Sequence, residues 1–366
     1  MKKINYIGIL GTVLVIITAA AFLPSCREKP AISNQIIVTG IGLTETDAGC
    51  TLSIQAVEAL KTAGSLSEQT ENATAVYHAK GASVAQALQA FLNEAGRSTY
   101  ILHNQIIGLG MEQYRDRSVF QTLDYFVRNL EGRSLVDLVI CRDDPADLLS
   151  IQSGNDPIPS EYVSQLIQEG SDWGIAVKAR LLDAQRASSG MYDMMIPLVE
   201  VKEKTPRLDG TALFRKGYLA GELTTEQTTG ILFAADKIEK CLYTVEGVTF
   251  RITASSTKLH IEPFDGAYRY TFSIKGTADI TETQTQTVFT QSEKDRLLSL
   301  LEEQICVDIQ EAVQLAVFKY GCDPLALARR TAKEYGITQE QASALLPESE
   351  YRFSTDIRLA ESGFLS

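Results

Sequence analysis

Side chains that could catalyse a reaction or bind a metal are few and widely separated in this sequence. His78, His103 and His260 do not occur in His-Glu-x-x-His or in another metal-ligand spacing. Gly-x-Ser-x-Gly, the nucleophile turn of α/β hydrolases, is missing. The sequence therefore predicts a protein without a catalytic centre, a metal or a cofactor.

Acidic pairs and glycine-rich turns offer weaker signals. Asp143-Asp144 could supply the paired carboxylates of a glycosidase, but Asp144 precedes Pro145 and is better placed to cap a helix. Gly40-Ile41-Gly42 and Gly108-Leu109-Gly110 each begin a Gly-x-Gly, and neither has the third glycine of a dinucleotide site. We expect turns or strand ends at these glycines, and a hydrogen-bonded structural role for His103 inside an apolar strand.

Five cysteines are spread along the body of the chain without a Cys-x-x-Cys pair. This spacing gives no support to a zinc knuckle or a thioredoxin-type redox site. Buried thiols that pack as small hydrophobic groups are the expected role. One disulfide is possible, and nothing in the sequence selects a pair among Cys50, Cys141, Cys241, Cys306 and Cys322.

Cys26 is where the sequence predicts covalent chemistry. Met1-Lys2-Lys3 precedes an apolar run from Ile4 to Leu23, and the run ends in Leu23-Pro24-Ser25-Cys26, which resembles the lipobox of bacterial lipoproteins. Cleavage before Cys26 and attachment of diacylglycerol to its sulfur are therefore expected. A plain secretory signal and an uncleaved span are the alternatives, because about 20 apolar residues can cross a ~30 Å hydrocarbon core. All three place the body of the chain outside the cytoplasm.

The composition behind this segment is that of an acidic globular protein. The whole chain is 45% hydrophobic and 22% charged. Two of its 34 basic residues and none of its 46 acidic residues lie before Cys26, so the formal charge of the remainder is near −14. Such a balance repels nucleic acid and leaves no polybasic surface for lipid. A body of this length favours two or three domains.

The pattern of strands and helices predicts an α+β protein. Hairpins are indicated around 44–49 and 215–217, strands at 100–109 and 135–141, and three alternating strands near 248–255, 257–262 and 267–281. Helical spacing follows Ser83 up to Gly96, covers 119–130, and runs longest from Glu293 to Tyr320, where an apolar stripe extends from Leu297 to Val317. Hairpins with a long packing helix favour mixed or antiparallel sheets, each covered by helices, over one doubly wound parallel sheet.

A charged stretch, Glu203 to Arg207, suggests the main domain boundary. The predicted organisation is a lipoprotein signal peptide over 1–25, a tether over 26–33, an N-terminal α+β region over 34–205 that could contain two subdomains, and a C-terminal α+β domain over 206–366.

Short motifs in this order resemble the Ger(x)C family, the lipoprotein C subunit of bacterial spore germinant receptors. The most similar stretch is Gly210-Thr211-Ala212-Leu213-Phe214, followed by Leu219-Ala220-Gly221-Glu222-Leu223 and Glu226. Further similar segments are Leu102-His103-Asn104 with Ile107-Gly108, Leu123-Asp124 through Arg128 and Arg133, Pro145-Ala146-Asp147-Leu148-Leu149, Asp323-Pro324-Leu325 and Asp356-Ile357-Arg358. Cys26 is followed by Arg-Glu-Lys where the family often has Trp-Asp, and Trp173 is the single tryptophan, so the chain resembles a divergent member.

The resemblance implies three domains, each a β-sheet with surrounding helices, on a lipid anchor at the outer face of the cytoplasmic (spore inner) membrane. It implies action beside the receptor A and B subunits in a complex that responds to small nutrients, and it brings no catalytic residues. Exposed arginines beside the matched motifs are the candidate partner contacts: Arg128, Arg133, Arg215 and Arg358. The alternative is a solute-binding lipoprotein of an ABC transporter, which should show two α/β lobes with parallel sheets and a hinge.

Overall fold

The computed structural model describes residues 35–57, 74–96, 98–129, 134–151, 157–284 and 289–360. The signal peptide, the tether, Cys26 and Arg133 lie outside the described residues. Residues from Ile36 onward belong to one compact unit. Its described part contains two β-sheets and eight α-helices.

The first sheet has nine strands, and its centre is parallel. The strands are β1 (Gln35–Thr46), β2 (Gly49–Val57), β3 (Thr74–Gly81), β4 (Ser98–Tyr100), β5 (Ile106–Gly110), β6 (Asp137–Cys141), β7 (Met194–Lys202), β8 (Thr205–Arg215) and β9 (Tyr218–Leu223). Their spatial order is β3-β2-β1-β5-β6-β7-β8-β9, and β4 also pairs with β1. The strands β1, β5, β6 and β7 run parallel, while β2 with β3 and β8 with β9 extend the two sides as antiparallel hairpins.

Helices cover both faces of this sheet, so β5 and β6 are buried at every position. They are α1 (Val84–Ala95), α2 (Val119–Arg128), α3 (Pro159–Asp172) and α4 (Leu181–Ser188). On one face α1, α2 and α4 build a large core, and on the other α3 places Val163 and Ile167 in a smaller one. The caps of α1 are those predicted: the Ser83 hydroxyl accepts from the Gln86 N–H, and Gly96 ends the helix in the left-handed conformation.

The second sheet is smaller and faces one layer of helices. Its order is β10 (Cys241–Val245), β11 (Val248–Phe264), β12 (Ala267–Thr283) and β13 (Glu350–Leu359), with β13 parallel to β12. Its helices are α5 (Thr225–Ala234), α6 (Gln291–Gln314), α7 (Leu327–Tyr335) and α8 (Gln339–Leu345). The long α6 continues as one π turn over Leu315–Lys319, and its predicted apolar stripe from Leu297 to Val313 is buried in the core. The predicted α+β class and the long C-terminal helix are confirmed.

Strand β8 joins the two halves through its alternating side chains. Ala212 and Phe214 lie in the large core of the first sheet, whereas Leu213 between them lies in the core of the second. Successive residues of a strand point to opposite faces, so one strand serves both cores. The predicted boundary near 205/206 falls at the start of β8, directly after the turn from β7, and these two strands are paired in one sheet. The domain limits stay a prediction.

Two strand predictions differ from the structure. The run 100–109 is interrupted by a 3₁₀ turn at Ile101–His103, closed by the Asn104 N–H donating to the Ile101 carbonyl, so His103 is exposed and lies outside any strand. The three strands expected over 248–281 are two long ones. The polar residues Ser255 and Ser256 resemble a turn, yet they stand opposite Gly276 and Lys275 and continue the hairpin.

Candidate functional site

Three of the predicted partner-contact arginines lie within the described residues, each on a different element. Arg128 ends α2, with 79% of its side chain exposed, and its Nε lies 2.7 Å from an Asp124 carboxylate oxygen one helical turn away. Arg358 lies on β13, also 79% exposed, and its Nε is 3.8 Å from Asp356. Exposed ion pairs of this kind stabilise a fold by about 0–1 kcal/mol. Both guanidinium groups are therefore accessible to another molecule.

Arg215 has a different setting, at the end of β8. Its guanidinium lies against Gly321, where a Cβ would meet Nη1 at 2.8 Å. Gly321 follows the π turn of the long helix and has φ +60°. Arg215 therefore lies where the β8–β9 hairpin meets the end of the long helix, and its side chain is also exposed.

Arg358 belongs to a broad polar surface that the strand alternation predicts only in part. We call this surface the polar face of the second sheet. Its members stand opposite one another in the register of β11, β12 and β13, and none of them is buried: Arg251, Lys258, His260, Thr271, Ser273, Lys275, Thr277, Asp279, Arg352, Ser354, Asp356 and Arg358. The opposite face of the same strands carries aromatic residues, including stacked Tyr270–Tyr351 and Phe272–Phe353 pairs with ring centroids 5.2 and 5.3 Å apart.

One end of this polar face is held by a compact ion network. The Arg269 guanidinium donates to Glu262 at 2.8 Å and to Glu350 at 2.5 Å, and it lies 3.6 Å from the centre of the Phe264 ring. Arg352 donates to the other oxygen of Glu350 at 2.8 Å. These contacts lower the pKa of Glu350, chiefly through the Arg269 hydrogen bond. The network therefore holds the charged side chains at this end of the polar face in fixed positions.

The segment most similar to the family, from Gly210 to Glu226, lies where the two sheets meet. Gly210 has φ +97°, and a Cβ there would lie 2.0 Å from the Leu223 carbonyl oxygen. A Cβ on Gly221 would lie 2.3 Å from the ring of Tyr320, so only glycine fits beneath that ring. The Thr211 hydroxyl is buried and hydrogen bonded to the Thr228 hydroxyl at 2.8 Å. Thr211 and Gly221 therefore serve close packing between the halves, and Gly210 serves close packing of β8 against β9 within the first sheet.

A second connection at the same junction uses two aspartates. The Asp193 carboxylate accepts from the backbone N–H groups of Lys216 at 3.1 Å and Asp323 at 2.9 Å. The Asp323 carboxylate accepts from Leu327 and Ala328 at 2.8 Å each and so caps α7. Burial raises the pKa of Asp323 to about 6. Asp323 belongs to the family-like motif Asp323-Pro324-Leu325, so the sequence marked it for attention. Its partner Asp193 lies in no such motif.

Sequence reasoning also missed a buried acid, Asp137, at the start of β6. It is 4% exposed, and its Oδ2 accepts from the Ser164 hydroxyl at 2.7 Å. Lys178 and Arg180 lie 4.0 and 3.7 Å from its other oxygen. Burial raises the pKa of Asp137 above its usual range, while the nearby cations oppose the rise. No motif marks Asp137, because its cationic neighbours are about 40 residues later in the chain.

The chemically reactive residue types are placed for packing. The five cysteines of the described residues are free, and burial raises the pKa of the Cys141, Cys241 and Cys322 thiols to about 12 each, so they are not thiolates near neutral pH. Asp144 accepts from the Ala146 N–H at 2.9 Å within the turn that precedes the 3₁₀ turn Asp147–Leu149. The N-cap of that 3₁₀ turn is Ala146, without a side-chain cap, and no α-helix follows, so the predicted helix cap at Asp144 is wrong.

No group of three or more metal-ligating side chains occurs within the ranges that the structure describes. Across those ranges, none of the helices combines the length and apolar character of a membrane span.

Fold and surfaces define a two-sheet α+β protein whose accessible features are a polar sheet face and exposed arginines. Residues 28–201 match the spore germination protein N-terminal domain, and residues 209–363 match the spore germination B3/GerAC-like C-terminal domain. The chain belongs to the Ger(x)C family of spore germination proteins.

Individual relatives agree with this family. Spore germination protein B3 of Bacillus subtilis (strain 168) is 26% identical over 240 residues, which span 63% of this chain and 64% of that relative. A crystal structure of the GerBC protein has a TM-score of 0.60 at 18% identity and covers 88% of this chain and 97% of its own. The structural match shows a shared fold over nearly all of both chains.

Proposed function

We propose that this chain is the lipid-anchored, non-catalytic C subunit of a spore nutrient germinant receptor. The observation that carries the proposal is the pair of family domains in consecutive order over residues 28–201 and 209–363. In this proposal the chain binds the receptor A and B subunits at the outer face of the spore inner membrane, and its effect on germination comes from association.

The anchor in this proposal is diacylglycerol on Cys26. The supporting observation is the lipobox-like Leu23-Pro24-Ser25-Cys26 behind an apolar run. Acyl chains contribute about 0.8 kcal/mol per buried CH₂, so two chains retain a protein at the membrane where one is marginal.

Association in place of turnover is supported by the residue chemistry. The thiols with a pKa near 12 are poor nucleophiles, and the described residues hold no metal-ligand group. The alternative, a solute-binding lipoprotein, calls for two parallel-sheet lobes joined by a hinge. The nine-stranded mixed sheet and the second sheet instead pack together through β8, a strand of the first sheet whose Leu213 lies in the core of the second, and this disfavours the alternative.

The anchor is tested by Cys26→Ala in spores that lack the native gene. We expect the variant to remain unprocessed, to lose the detergent-phase behaviour of a lipoprotein and to slow germination on a nutrient panel. Cys306→Ala, a thiol in the body of the chain, is the matched control and should behave as the native protein. Normal processing and germination with Cys26→Ala would contradict the anchor.

The partner contacts are tested by charge reversal on the four candidate arginines. Among the described residues, Arg128 and Arg358 are the better candidates, because Arg215 also packs against Gly321 and a loss of fold would confound its reversal. Arg133 lies outside the described residues and is reversed in the same series. Interface hot spots cost about 2 kcal/mol or more when removed, roughly 30-fold in affinity. Arg358→Glu should therefore reduce recovery of the A and B subunits in a pull-down, while Arg329→Glu on α7 should not. Equal recovery with all the reversals would reject these contacts.

A further inference from the structure

A cleft of about 290 Å³ lies at the junction of the two halves. Its walls come from the α3–α4 connection, helix α4, the start of β7, the end of α5 and the segment that leads into α7. Small-molecule sites often lie between packed halves of a protein and measure roughly 300–1,000 Å³. A cleft at the lower end of this range suits a compact molecule better than a helix or strand of another protein.

The walls of this cleft are basic, although the chain is acidic. Four cationic side chains line it, Lys178, Arg186, Lys237 and Arg330, against two acidic ones. The whole chain has a formal charge of −12. A local excess of positive charge on such a protein concentrates anions at this position.

The two acidic residues of the cleft are already engaged by the fold. Asp183 accepts from the Arg180 backbone N–H at 2.9 Å, which caps α4. Asp193 accepts from two backbone N–H groups, those of Lys216 and Asp323. These hydrogen bonds hold both carboxylates in fixed positions. With four cationic side chains against two such carboxylates, the lining keeps a net positive charge.

Two of the cations have no ion-pair partner in the part of the chain that the structure describes. Lys178 lies 4.0 Å from Asp137 and also bonds Gln168, and Arg186 lies 3.7 Å from Asp183. Lys237 and Arg330 have no carboxylate within 4.0 Å among residues 35–57, 74–96, 98–129, 134–151, 157–284 and 289–360. Arg330 favours the ionised form of Asp323 from a longer distance. A guanidinium and an ammonium facing one cleft can bind a carboxylate through several charged hydrogen bonds.

The remaining walls are apolar. Val177, Met194, Met195, Ala235 and Leu325 face the same space as the cations. Apolar walls stabilise a ligand that carries a short hydrocarbon part beside its charge. A free phosphate ion offers no such part, so a carboxylate on a short carbon chain fits the lining better.

We propose that this cleft binds a small carboxylate-bearing molecule, with Arg330 and Lys237 as its recognition groups. The inference does not rest on the receptor assignment, because binding is a property of the chain alone. A ligand held between α4, α5 and the start of α7 would also stabilise the junction of the two halves.

The test is calorimetric titration of the purified full-length chain in detergent with succinate, butyrate, butyramide and inorganic phosphate. We expect saturable binding of succinate with a Kd of about 1 mM or tighter. Butyrate should bind at least about tenfold more tightly than butyramide, its neutral isostere, and phosphate should bind more weakly than succinate. Stability of the chain should rise with succinate concentration by mass action.

Arg330→Gln is the decisive variant, and Arg329→Gln is its matched control because Arg329 is exposed on the same helix outside the cleft. The first should weaken succinate at least about tenfold, and the second should change it less than about twofold. Lys237→Gln makes the same test from another segment if Arg330→Gln does not fold. Absence of saturation, equal weakening by both arginine variants, or preference for phosphate would overturn the proposal. A germination defect would test the receptor assignment alone. The receptor assignment and the carboxylate-binding proposal can therefore fail separately.

Discussion

At the scale of the residue, the family-like motif contains glycines at positions where neighbouring atoms lie too close to the backbone for a side chain. Gly210 and Gly221 fill positions where any side chain would overlap the Leu223 carbonyl or the Tyr320 ring. Gly230 similarly brings α5 against the Asp308 carbonyl of α6, which a Cβ would approach to 2.3 Å. Substitutions at these glycines should therefore lower the stability of the fold.

Gly210→Ala should strongly destabilise the protein. The substitution forces φ +97° on a residue with a Cβ and pushes that atom into the Leu223 carbonyl oxygen, so the backbone must shift. We expect a loss of about 3 kcal/mol or more in the free energy of unfolding by urea. Gly266→Ala is the control, because its φ is +81° but nothing lies within 4 Å of the new Cβ, and about 1 kcal/mol is expected. Equal losses would show that the clash is relieved at no cost.

The raised pKa of Asp323 predicts a pH dependence with a defined sign. The carboxyl titrates near pH 6 in the fold because of burial, and near 3.9 in the unfolded chain. Between these values the folded state binds more protons, so the contribution of Asp323 to stability is largest below about pH 4 and falls as pH rises toward 6. The total fall is at most about 3 kcal/mol.

Asp323→Asn isolates this contribution. The amide oxygen still accepts one N–H of α7, and the variant cannot titrate. The free energy of unfolding of the native chain minus that of the variant should decrease from pH 4 to pH 7, as measured by urea titration at several pH values. A difference that is constant or increases with pH would contradict the assigned pKa.

At the scale of the element, two edges of the second sheet have no partner strand over part of their length within the described residues. Side chains form hydrogen bonds with the backbone groups of these edges. Strand β10 pairs only with residues 248–252 of β11, so the rest of that edge has no partner strand within the described residues. There the Thr257 N–H donates to Asp236 at 2.7 Å, and the Tyr335 hydroxyl donates to the Ile261 carbonyl at 2.7 Å. On β13 the Ile357 N–H donates to Glu302 of α6 at 2.7 Å. Such contacts satisfy edge groups that would otherwise pair with another chain.

Glu302→Ala should destabilise the fold and promote association. Loss of the carboxylate leaves the partly buried Ile357 N–H without its acceptor, at a cost of about 1–3 kcal/mol. Glu303→Ala, at an exposed neighbouring position of the same helix, should cost less than about 0.5 kcal/mol. Thermal unfolding and light scattering across a concentration series measure both effects. If Glu303→Ala behaves like Glu302→Ala, the edge contact is not the cause.

At the scale of the whole molecule, the two sheets are joined by more than a linker. Strand β8 contributes to both cores, the Thr229 hydroxyl of α5 donates to the Gly174 carbonyl at 2.8 Å, and the Lys240 ammonium lies 4.4 Å from the centre of the Trp173 ring. Elements that share a core lose their packing together. The halves should therefore unfold as one cooperative unit.

Cooperativity can be measured with two fluorescence probes. Trp173 is the single tryptophan and reports on the end of α3. A second protein with Trp173→Phe and Phe353→Trp reports on β13. We expect each to give a urea midpoint that coincides with its own far-ultraviolet circular dichroism transition. Separate midpoints within one protein would support independent domains and the predicted boundary near 205/206.

The sequence by itself determined what depends on local pattern. Ser83 and Gly96 bounded α1, the apolar stripe from Leu297 to Val313 set the buried side of α6, and alternation in β12 separated its aromatic side from its polar side. Each signal repeats at the period of its own element, so it can be read without knowledge of any neighbour. The ordered motifs likewise identified the family, because their order survives where overall identity is low.

Tertiary structure alone decided which elements meet. The break at 101–103, the continuous 17-residue strands β11 and β12, and the sharing of β8 all depend on pairing with distant residues. Asp193 and Asp323 are 130 residues apart and meet because the chain just before β7 lies against the segment between the long helix and α7. The basic cleft draws its walls from distant segments, 177–186, 192–195, 235–237 and 324–330, and the Asp323-Pro324-Leu325 motif marks only the last of them. Which distant residues come together depends on the topology of the fold. The spacing of apolar residues and the composition of the chain do not specify that topology.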